Sequence, residues 1–483
     1  MALNLRVLPQ TLKEDLWRSC ARLRFQDLPK LFSTQGDRSK ERYRRAALTG
    51  ASSIIQRGLT VVISLVSVPL TIHYLGPERY GVWLTISSLL VWMALTDFGL
   101  AGNALINMLS EAHGRDDKLA AQQYVASAMW SLIAIALVLG LITSICFPFI
   151  SWQAIFHSGS IPAGELATTC GLTLTFFLIS LPLNVQYAVY SGYQDGALSN
   201  ACGIVMNVGS LIALVVVTQL RGGLPELVMA LSGTRLLIGF GNSIYVFKRY
   251  PWLIPLPSAI RWTCIRRLLS LGSKYLFSQL GAFGFGQSQP FIITQILGPA
   301  AVVPFVVTYR LINLPMEAVY LSIAPLVPAF GEAKARNDWQ WIRKAFRRVT
   351  IVSVAMGIPL VLILGFVAQP VIRLWAGPSA VPGWTLIFGL MVYNIVGVIF
   401  MGVGQLLTGI ERVTPLVIST TLCAACTMGF GWLGCTIMGV SGVAIAMAAS
   451  MLVTYWPIQV LAIRKLFHTE HPVPSLVANE EIA

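Results

Sequence analysis

The stretch SEAHGRDD at residues 110–117 returns in altered form as GEAKARND at residues 331–338. Four of the eight positions are identical in register, at an offset of 221 residues: Glu111 and Glu332, Ala112 and Ala333, Arg115 and Arg336, Asp117 and Asp338. A charged stretch that is repeated at such a distance, in a chain this apolar, predicts a structural unit that occurs twice.

The composition predicts that most of this chain lies in lipid. Of its 483 residues, 55% are hydrophobic and only 11% are charged, whereas a soluble domain is about 25% charged. Several uncharged runs are long enough to cross about 30 Å of hydrocarbon as α-helices. They lack the short alternating pattern of membrane β-strands. We therefore expect an all-α polytopic membrane protein.

The apolar runs predict about twelve membrane spans. They lie near residues 50–73, 81–104, 122–147, 166–190, 199–219, 224–247, 268–296, 301–325, 347–369, 384–408, 414–436 and 441–463. The first 45 residues contain no apolar run of the length that a signal peptide needs, so we expect no cleavage there.

The distribution of basic residues predicts the orientation. If both termini are cytoplasmic, 28 of the 34 Lys and Arg residues lie on the cytoplasmic side, three lie outside and three fall within spans. Such a bias is the usual determinant of membrane topology. The net charge of +14 is thereby explained by topology and by attraction to anionic lipid. We expect no nucleic-acid partner.

The repeated stretches follow spans 2 and 8, so the repeat unit is six spans. The tripeptide LGP at 75–77 recurs at 297–299, and Gly50 has its counterpart in Gly272, both at an offset of 222. Two such halves enter the membrane from the same side and are related by an axis along its normal, with substrate sites at their interface. The predicted division is a basic cytoplasmic N-terminal segment 1–45, an N-terminal six-helix lobe 46–248, a basic cytoplasmic linker 249–267, a C-terminal six-helix lobe 268–465 and a cytoplasmic tail 466–483.

Three stretches carry a family resemblance. They are YLGPERYGVWLTISSLL…DFGLAGNALINMLSEAHGRDD (74–117), YSGYQDGALSN (190–200) and RLWAG (373–377). Together they resemble the bacterial flippases for lipid-linked oligosaccharides of O-antigen, capsule and exopolysaccharide, in the multidrug/oligosaccharidyl-lipid/polysaccharide exporter superfamily. The resemblance covers about residues 46–465 and consists of landmarks of the fold.

The resemblance implies two pseudo-symmetric lobes around a central cavity that opens alternately to the two sides of the bacterial inner membrane. It also implies export of an oligosaccharide linked to undecaprenyl pyrophosphate.

Three arginines within spans are the candidates for substrate binding. Arg57, Arg235 and Arg310 lie in spans 1, 6 and 8, where a charge is costly and marks a functional site by default. A planar guanidinium makes forked contacts with phosphate oxygens. We expect these residues to form a cationic cavity for a pyrophosphate, although each could instead belong to a structural ion pair.

Two acidic residues within spans have two possible roles. Asp97 lies near the end of span 2 and Glu317 lies in span 8. Either could carry a coupling ion, and either could form a structural pair. Asp97 could pair with Arg57 because spans 1 and 2 adjoin, whereas Glu317 is seven residues from Arg310 and about 10 Å from it along the axis.

Span 7 has an unusual composition. Gly284 and Pro290 weaken the helix, and Gln279, Gln287 and Gln289 make one side of it polar. Irregular backbone at membrane depth is tolerated where it lines a cavity or is buried in protein. We expect span 7 to bend and to line the cavity, although its small residues could equally serve close helix packing.

Other functional classes fit the sequence less well. No phosphate-binding loop, serine-hydrolase motif or metal-ligand spacing occurs, so we expect no enzyme, cofactor or metal. A multidrug or cation antiporter of the same superfamily remains the alternative, although it favours an acidic cavity. Residues 5–32 have apolar positions at helical spacing. They could form a surface helix, a docking site for other polysaccharide-assembly proteins or a basic tail.

Overall fold

The computed structural model describes residues 37–470, with the side chains of residues 37–47, 468–470 and a few helical positions left outside that description: 103, 274, 275, 277, 278, 280–285, 325, 328 and 335. The predictions for residues 5–32 and for most of the C-terminal tail therefore fall outside the described residues.

Twelve long helices follow one another in residues 37–470. The first run, Asp37–Met93, is bent at Gly76, and we name its arms, residues 37–75 and 77–93, α1 and α2. The others are α3 (Lys118–Cys146), α4 (Ala163–Leu183 with Val185–Gly192), α5 (Gly196–Gln219), α6 (Leu224–Arg249), α7 (Trp262–Gln287 with Gln289–Leu297), α8 (Val302–Ile323), α9 (Trp339–Phe366), α10 (Trp384–Gly409), α11 (Thr414–Met438) and α12 (Val440–Ser450 continuing to Arg464).

Ten stretches of the described chain are long and apolar enough to cross a membrane. The first of them, Leu48–Asp97, contains both α1 and α2, and α7 is not in the set because of its polar composition. Counting α1 and α2 separately and adding α7 gives the twelve helices that the apolar runs predict.

The repeated tripeptide LGP forms the same bend in both halves. Gly76 between α1 and α2 has φ 76° and ψ 167°, and Gly298 between α7 and α8 has φ 85° and ψ 166°. A side chain is disfavoured in this region of backbone space, which only glycine enters freely. The proline that follows each glycine fits the first turn of the next helix.

The repeated polar stretch is a helix end, a turn and a helix start. Asp116 and Asn337 adopt left-handed backbone conformations with φ 54° and 58°. The next residue caps the following helix in each copy, because the carboxylate of Asp117 accepts from the backbone N–H of Ala120 and that of Asp338 from Trp341. An i,i+4 ion pair precedes each turn: Arg115 with Glu111 at 2.8 Å and Arg336 with Glu332 at 2.6 Å.

Helix packing repeats with the same period of six. In the first half α1 packs against α5, α4 against α6 and α5 against α6. In the second half α7 packs against α11, α10 against α12 and α11 against α12. The molecule therefore consists of two pseudo-symmetric six-helix lobes, and the expected fold class is confirmed.

The apolar run near 81–104 predicts one span, and the structure shows a helix that is interrupted within that run. The helix ends at Met93, a 3₁₀ turn covers Ala94–Asp97, and a new helix begins at Asn103. The side chain of Asp97 accepts from the N–H of Gly99 at 2.7 Å, a local bond that competes with the helical ladder. The break lets the backbone at Phe98 approach Gly272 of α7, where a Cβ would overlap the carbonyl oxygen of Phe98.

The alternation of the helices defines two faces of the bundle. The near face holds the turns at 115–117, 193–195, 250–261, 336–338 and 410–413, and the far face holds those at 150–162, 220–223 and 377–383.

The lobes are in close contact on the side of the far face. The hydroxyls of Thr85 in α2 and Thr294 in α7 are 2.6 Å apart and buried. The indole of Trp375 donates to the carbonyl of Leu65 in α1 at 2.6 Å. We call this set of contacts the far seam. It closes the space between the lobes on that side.

The far seam predicts the effect of one added methyl group. A Cβ at Gly81 would overlap the carbonyl oxygen of Pro299 across the seam, and overpacking of this kind costs about 1–3 kcal/mol. Gly81→Ala should therefore lower the free energy of unfolding in detergent. Gly241→Ala in α6 is the matched control, since a Cβ there meets nothing within 4 Å; it should leave stability unchanged or raise it. Equal stability of the two variants would contradict this role for the seam.

Candidate functional site: a cavity between the lobes

A cavity of about 1180 Å³ lies between the two lobes. Its wall is formed by α1, α4, α5 and α6 of the first lobe and by α8 and α10 of the second. Counted over the membrane-spanning part of each helix, which begins at Leu48 in α1, every lining residue lies in the half that is nearer the near face. Because the far seam closes the other half, the cavity opens towards the near face.

The first lobe gives the cavity an amide-rich wall. Asn242 of α6 donates to the Gln186 side chain of α4 at 2.7 Å and accepts from the Tyr190 hydroxyl at 2.6 Å. The thiol of Cys202 in α5 also donates to the Asn242 oxygen, at 2.9 Å. This network joins three helices and holds uncharged donors and acceptors at the cavity surface.

A second polar cluster joins α1 to α5. The side-chain N–H₂ of Asn200 donates to the hydroxyls of Ser52 and Ser53, each at 2.8 Å. About two turns further along α5, Asn207 donates to the hydroxyl of Thr60 in α1 at 2.8 Å. Polar contacts of this kind hold membrane helices together, and here they also make α1 part of the polar wall.

The second lobe gives the cavity a more apolar wall. Leu314, Met316, Leu321 and Met401 line it from α8 and α10. Glu317 is the only acidic residue among the described side chains that line the cavity. The two walls therefore differ, because the first lobe supplies most of the amides and the second supplies mainly aliphatic groups, with Asn313, Glu317 and Tyr320 among them.

Arg57 is the only arginine among the described residues that line this cavity. Its guanidinium carbon lies 5.3 Å from the centroid of the Tyr320 ring in α8, a cation–π contact between the lobes. The side chain is exposed to the cavity. Within the described part of the chain Arg57 forms no ion pair, either with Asp97 or with Glu317.

The other two arginines lie apart from Arg57. Arg310 is nearer the far face on α8, where its Nη1 is 3.4 Å from the hydroxyl of Ser64 in α1. Arg235 lies inside the first lobe, in a separate cavity of about 270 Å³. Asn184 and Gln186 line both cavities. The three residues predicted from the sequence are therefore not brought together in one cavity.

The polar residues of α7 are spread around a break in that helix. The helix is interrupted at Ser288, between Gln287 and Gln289. Gln279 and Gln287 are half-buried, whereas Gln289 and Pro290 are buried. The side-chain surroundings of Gly284 are outside the described part. The lining residues of the central cavity, as far as the structure describes them, come from other helices, so a cavity-lining role for α7 remains a prediction.

The amide-rich wall is the feature that reasoning from charged residues missed. Its members Asn184, Gln186, Asn200 and Asn242 all lie in apolar runs of the first lobe. Their recurrence in three successive spans was a usable signal, because an amide within a span needs a partner or a polar cavity.

The family described as polysaccharide biosynthesis protein matches residues 74–379. The chain belongs to this family. A Yersinia pseudotuberculosis protein named for O-antigen export is 24% identical over 416 residues, which cover 84% of this chain and 93% of the relative. A Salmonella typhi protein named as an O-antigen transporter is 23% identical, over 74% of this chain and 78% of the relative.

Solved structures share the fold. An inward-facing multidrug-resistance MATE family transporter of the MOP superfamily superposes with a TM-score of 0.70 at 16% identity, over 84% of this chain and 96% of that one. The lipid II flippase MurJ in an inward closed conformation gives a TM-score of 0.66 at 14% identity, over 85% and 87%. The chain is a multi-pass membrane protein, and its relatives are named for O-antigen export and transport.

The network around Asn242 predicts a measurable loss of stability. Asn242→Ala removes the acceptor of the Tyr190 hydroxyl and one of the two donors to the Gln186 oxygen, which keeps Ser243 at 3.2 Å. A buried group left unsatisfied costs about 1–3 kcal/mol. Thermal unfolding in detergent should show this loss. Asn313→Ala is the control, because Asn313 lines the same cavity without a hydrogen bond in the described residues. If both variants unfold alike, the network does not stabilise the lobe.

Proposed function

We propose that this protein moves an oligosaccharide linked to undecaprenyl pyrophosphate from the inner to the outer leaflet of the bacterial inner membrane. In this proposal the near face and both termini are cytoplasmic. The amide-rich wall beside Arg57 is the observation that carries the proposal. The O-antigen relatives and the lipid II flippase MurJ, which shares the fold, agree with it.

The polar wall suits sugar hydroxyls. A hydroxyl both donates and accepts, and the side chains of Asn184, Gln186, Asn200 and Asn242 supply both kinds of group without a net charge. The volume of about 1180 Å³ exceeds the usual range of about 300–1,000 Å³ for a small-ligand pocket. A short oligosaccharide therefore has room and partners on this side of the cavity.

Arg57 is the proposed phosphate ligand. Its guanidinium is exposed in the cavity and is held by the Tyr320 ring instead of by a carboxylate. An arginine without an acidic partner can give its full charge to an arriving pyrophosphate, with hydrogen bonds worth about 1.5–3 kcal/mol. Arg310 lies further towards the far face and would meet the phosphate later in the passage.

The alternation of access follows from the two sets of contacts. The described state is open at the near face and closed by the far seam. Export requires the seam to open and the near halves of the lobes to meet. For an anion, the inside-negative membrane potential favours outward movement by about 2.3 kcal/mol per charge per 100 mV.

A multidrug or cation antiporter is the second candidate, and Glu317 in the cavity is the observation in its favour. A cationic drug is attracted by a carboxylate, but here Arg57 offsets that charge within the same cavity. The proposal and this alternative predict opposite effects of an arginine substitution, since removal of Arg57 would weaken binding of an anion and strengthen binding of a cation.

The test uses a strain in which the chromosomal copy is deleted and variants are supplied in trans. Without the protein, lipid-linked oligosaccharide should accumulate in lipid extracts measured by mass spectrometry, and surface polysaccharide should fall. Unchanged lipid-linked pools together with greater sensitivity to cationic dyes would refute the flippase and favour the antiporter.

Arg57→Ala should lower the rate of oligosaccharide transport by about tenfold or more, the loss expected for one or two charged hydrogen bonds. Arg57→Lys keeps the positive charge but loses the two-pronged guanidinium contact, so its transport rate should lie between those of the wild type and Arg57→Ala. Arg266→Gln, an exposed arginine outside the cavity, is the control for a simple loss of charge. A wild-type rate for Arg57→Ala at wild-type expression would exclude this residue as the phosphate ligand.

A further inference from the structure

One helix surface occurs in both copies of the repeat. It is covered by the linker in the first lobe and lines a cavity in the second. Position 118 at the start of α3 corresponds to position 339 at the start of α9, by the offset of 221 that relates the two polar stretches. The surface of α3 around residues 122–130 thus corresponds to the surface of α9 around residues 343–351. The two surfaces should resemble each other, and they do not.

In the first lobe the inter-lobe linker covers this surface. The Gln122 side chain donates to the carbonyl of Ile254 at 3.2 Å, and the Trp130 indole donates to that of Pro255 at 3.1 Å. Leu253 is fully buried in the same core cluster as Val125. In the structure the linker is the segment between α6 and α7, residues 250–261. It follows α6 directly and lies along α3.

The start of the linker is fixed by a further hydrogen bond. The Tyr250 hydroxyl donates to the carboxylate of Asp195. Burial raises the pKa of Tyr250 to about 12, so the phenol remains protonated and can donate.

In the second lobe the corresponding surface carries a cavity of about 540 Å³. It is lined by Arg343, Phe346, Arg347, Thr350, Ile351 and Phe467. Ile351 stands at the position of Trp130 and is 55% exposed. Among the described residues that line this cavity none is acidic.

The corresponding positions also differ in charge. The α9 basic face consists of Arg343, Lys344, Arg347 and Arg348, where α3 has Gln122, Gln123, Ala126 and Ser127. Four cations within six residues repel one another. An anionic partner would relieve this repulsion, whereas α3 needs none because its linker binds through backbone carbonyls.

Phe467 lies at the α9 basic face, and the residues that follow it resemble the linker in sequence. The carbonyl of Phe467 accepts from Arg343 Nη2 at 3.1 Å, and the guanidinium lies 5.1 Å from the Phe467 ring. Residues 468–483 follow and lie outside the fully described part. They contain Pro-Val-Pro-Ser at 472–475, where the linker has Pro-Leu-Pro-Ser at 255–258, an offset of 217 that also relates Tyr250 to Phe467.

We propose that residues 468–483 bind the α9 basic face, as the linker binds α3. The segment carries Glu470, Glu480 and Glu481, and no Lys or Arg. The segment is long enough to place its glutamates on α9. Glu480 is 13 residues after Phe467, and each extended residue spans about 3.3 Å. In this proposal residues 468–483 bind α9 through charge, whereas the linker binds α3 through hydrogen bonds to its backbone carbonyls.

The test measures the protection of the tail in the full-length protein, reconstituted in nanodiscs of zwitterionic lipid. Limited digestion by proteinase K is followed by intact mass, and the rate of tail removal is recorded. Arg347→Glu/Arg348→Glu should raise this rate by about threefold or more, the effect expected of a few exposed ion pairs. Glu480→Arg/Glu481→Arg should do the same, and the combined variant should digest more slowly than the tail variant alone. Arg266→Glu is the control and should have no effect.

Two results would overturn the proposal. One is an unchanged digestion rate in both reversed variants. The other is protection that appears only in nanodiscs containing phosphatidylglycerol, because the α9 basic face would then bind an anionic lipid headgroup instead of the tail. Faster digestion of the wild-type protein at high salt would support the proposal, since salt screens exposed ion pairs.

Discussion

The absence of hydrogen-bonding partners in hydrocarbon is the constraint on which this structure depends. Each backbone N–H and C=O at membrane depth must find a partner within the protein, which permits continuous helices and makes every interruption costly. Three of the interruptions have a local solution. The Asp97 carboxylate takes up an N–H where α2 breaks, and the bends at Gly76 and Gly298 lie at the far face, where the chain leaves the span.

The same constraint explains why the cavity wall is made of paired amides. An unpaired Asn or Gln within a span would be as costly as an unpaired backbone group. Gln186, Tyr190 and Asn242 satisfy one another across α4 and α6, so the first lobe can keep a polar surface at membrane depth without a charge. Under the proposed function, an entering sugar would exchange water for groups that are already oriented, which lowers the cost of ordering on binding.

Sequence alone predicted the helices and their period but not the interior. Uncharged runs give the spans because length and apolarity are sufficient for crossing, and the LGP and polar-stretch repeats give the six-helix period. The sequence shows that a charged side chain lies within a span and is costly there, but it does not show which cavity that side chain faces. Arg57 and Arg235 were therefore indistinguishable in sequence, yet one lines the central cavity and the other a separate one. The break after Asp97 was missed because an Asx-type bond leaves no mark in hydrophobicity.

Comparison of the two copies separates geometry from chemistry. The positions that form turns are kept in both copies, as with Gly76 and Gly298. The charged positions at the cavity are not: the offset of 222 places Gln279 opposite Arg57 and Leu95 opposite Glu317. A duplicated bundle with two identical lobes would present the same groups on both sides of its cavity, which suits only a symmetric ligand. The proposed substrate, a lipid-linked sugar, has a polar end and an apolar end. A cavity with one amide-rich wall and one more apolar wall matches that asymmetry, and the walls differ because the two copies have diverged in sequence.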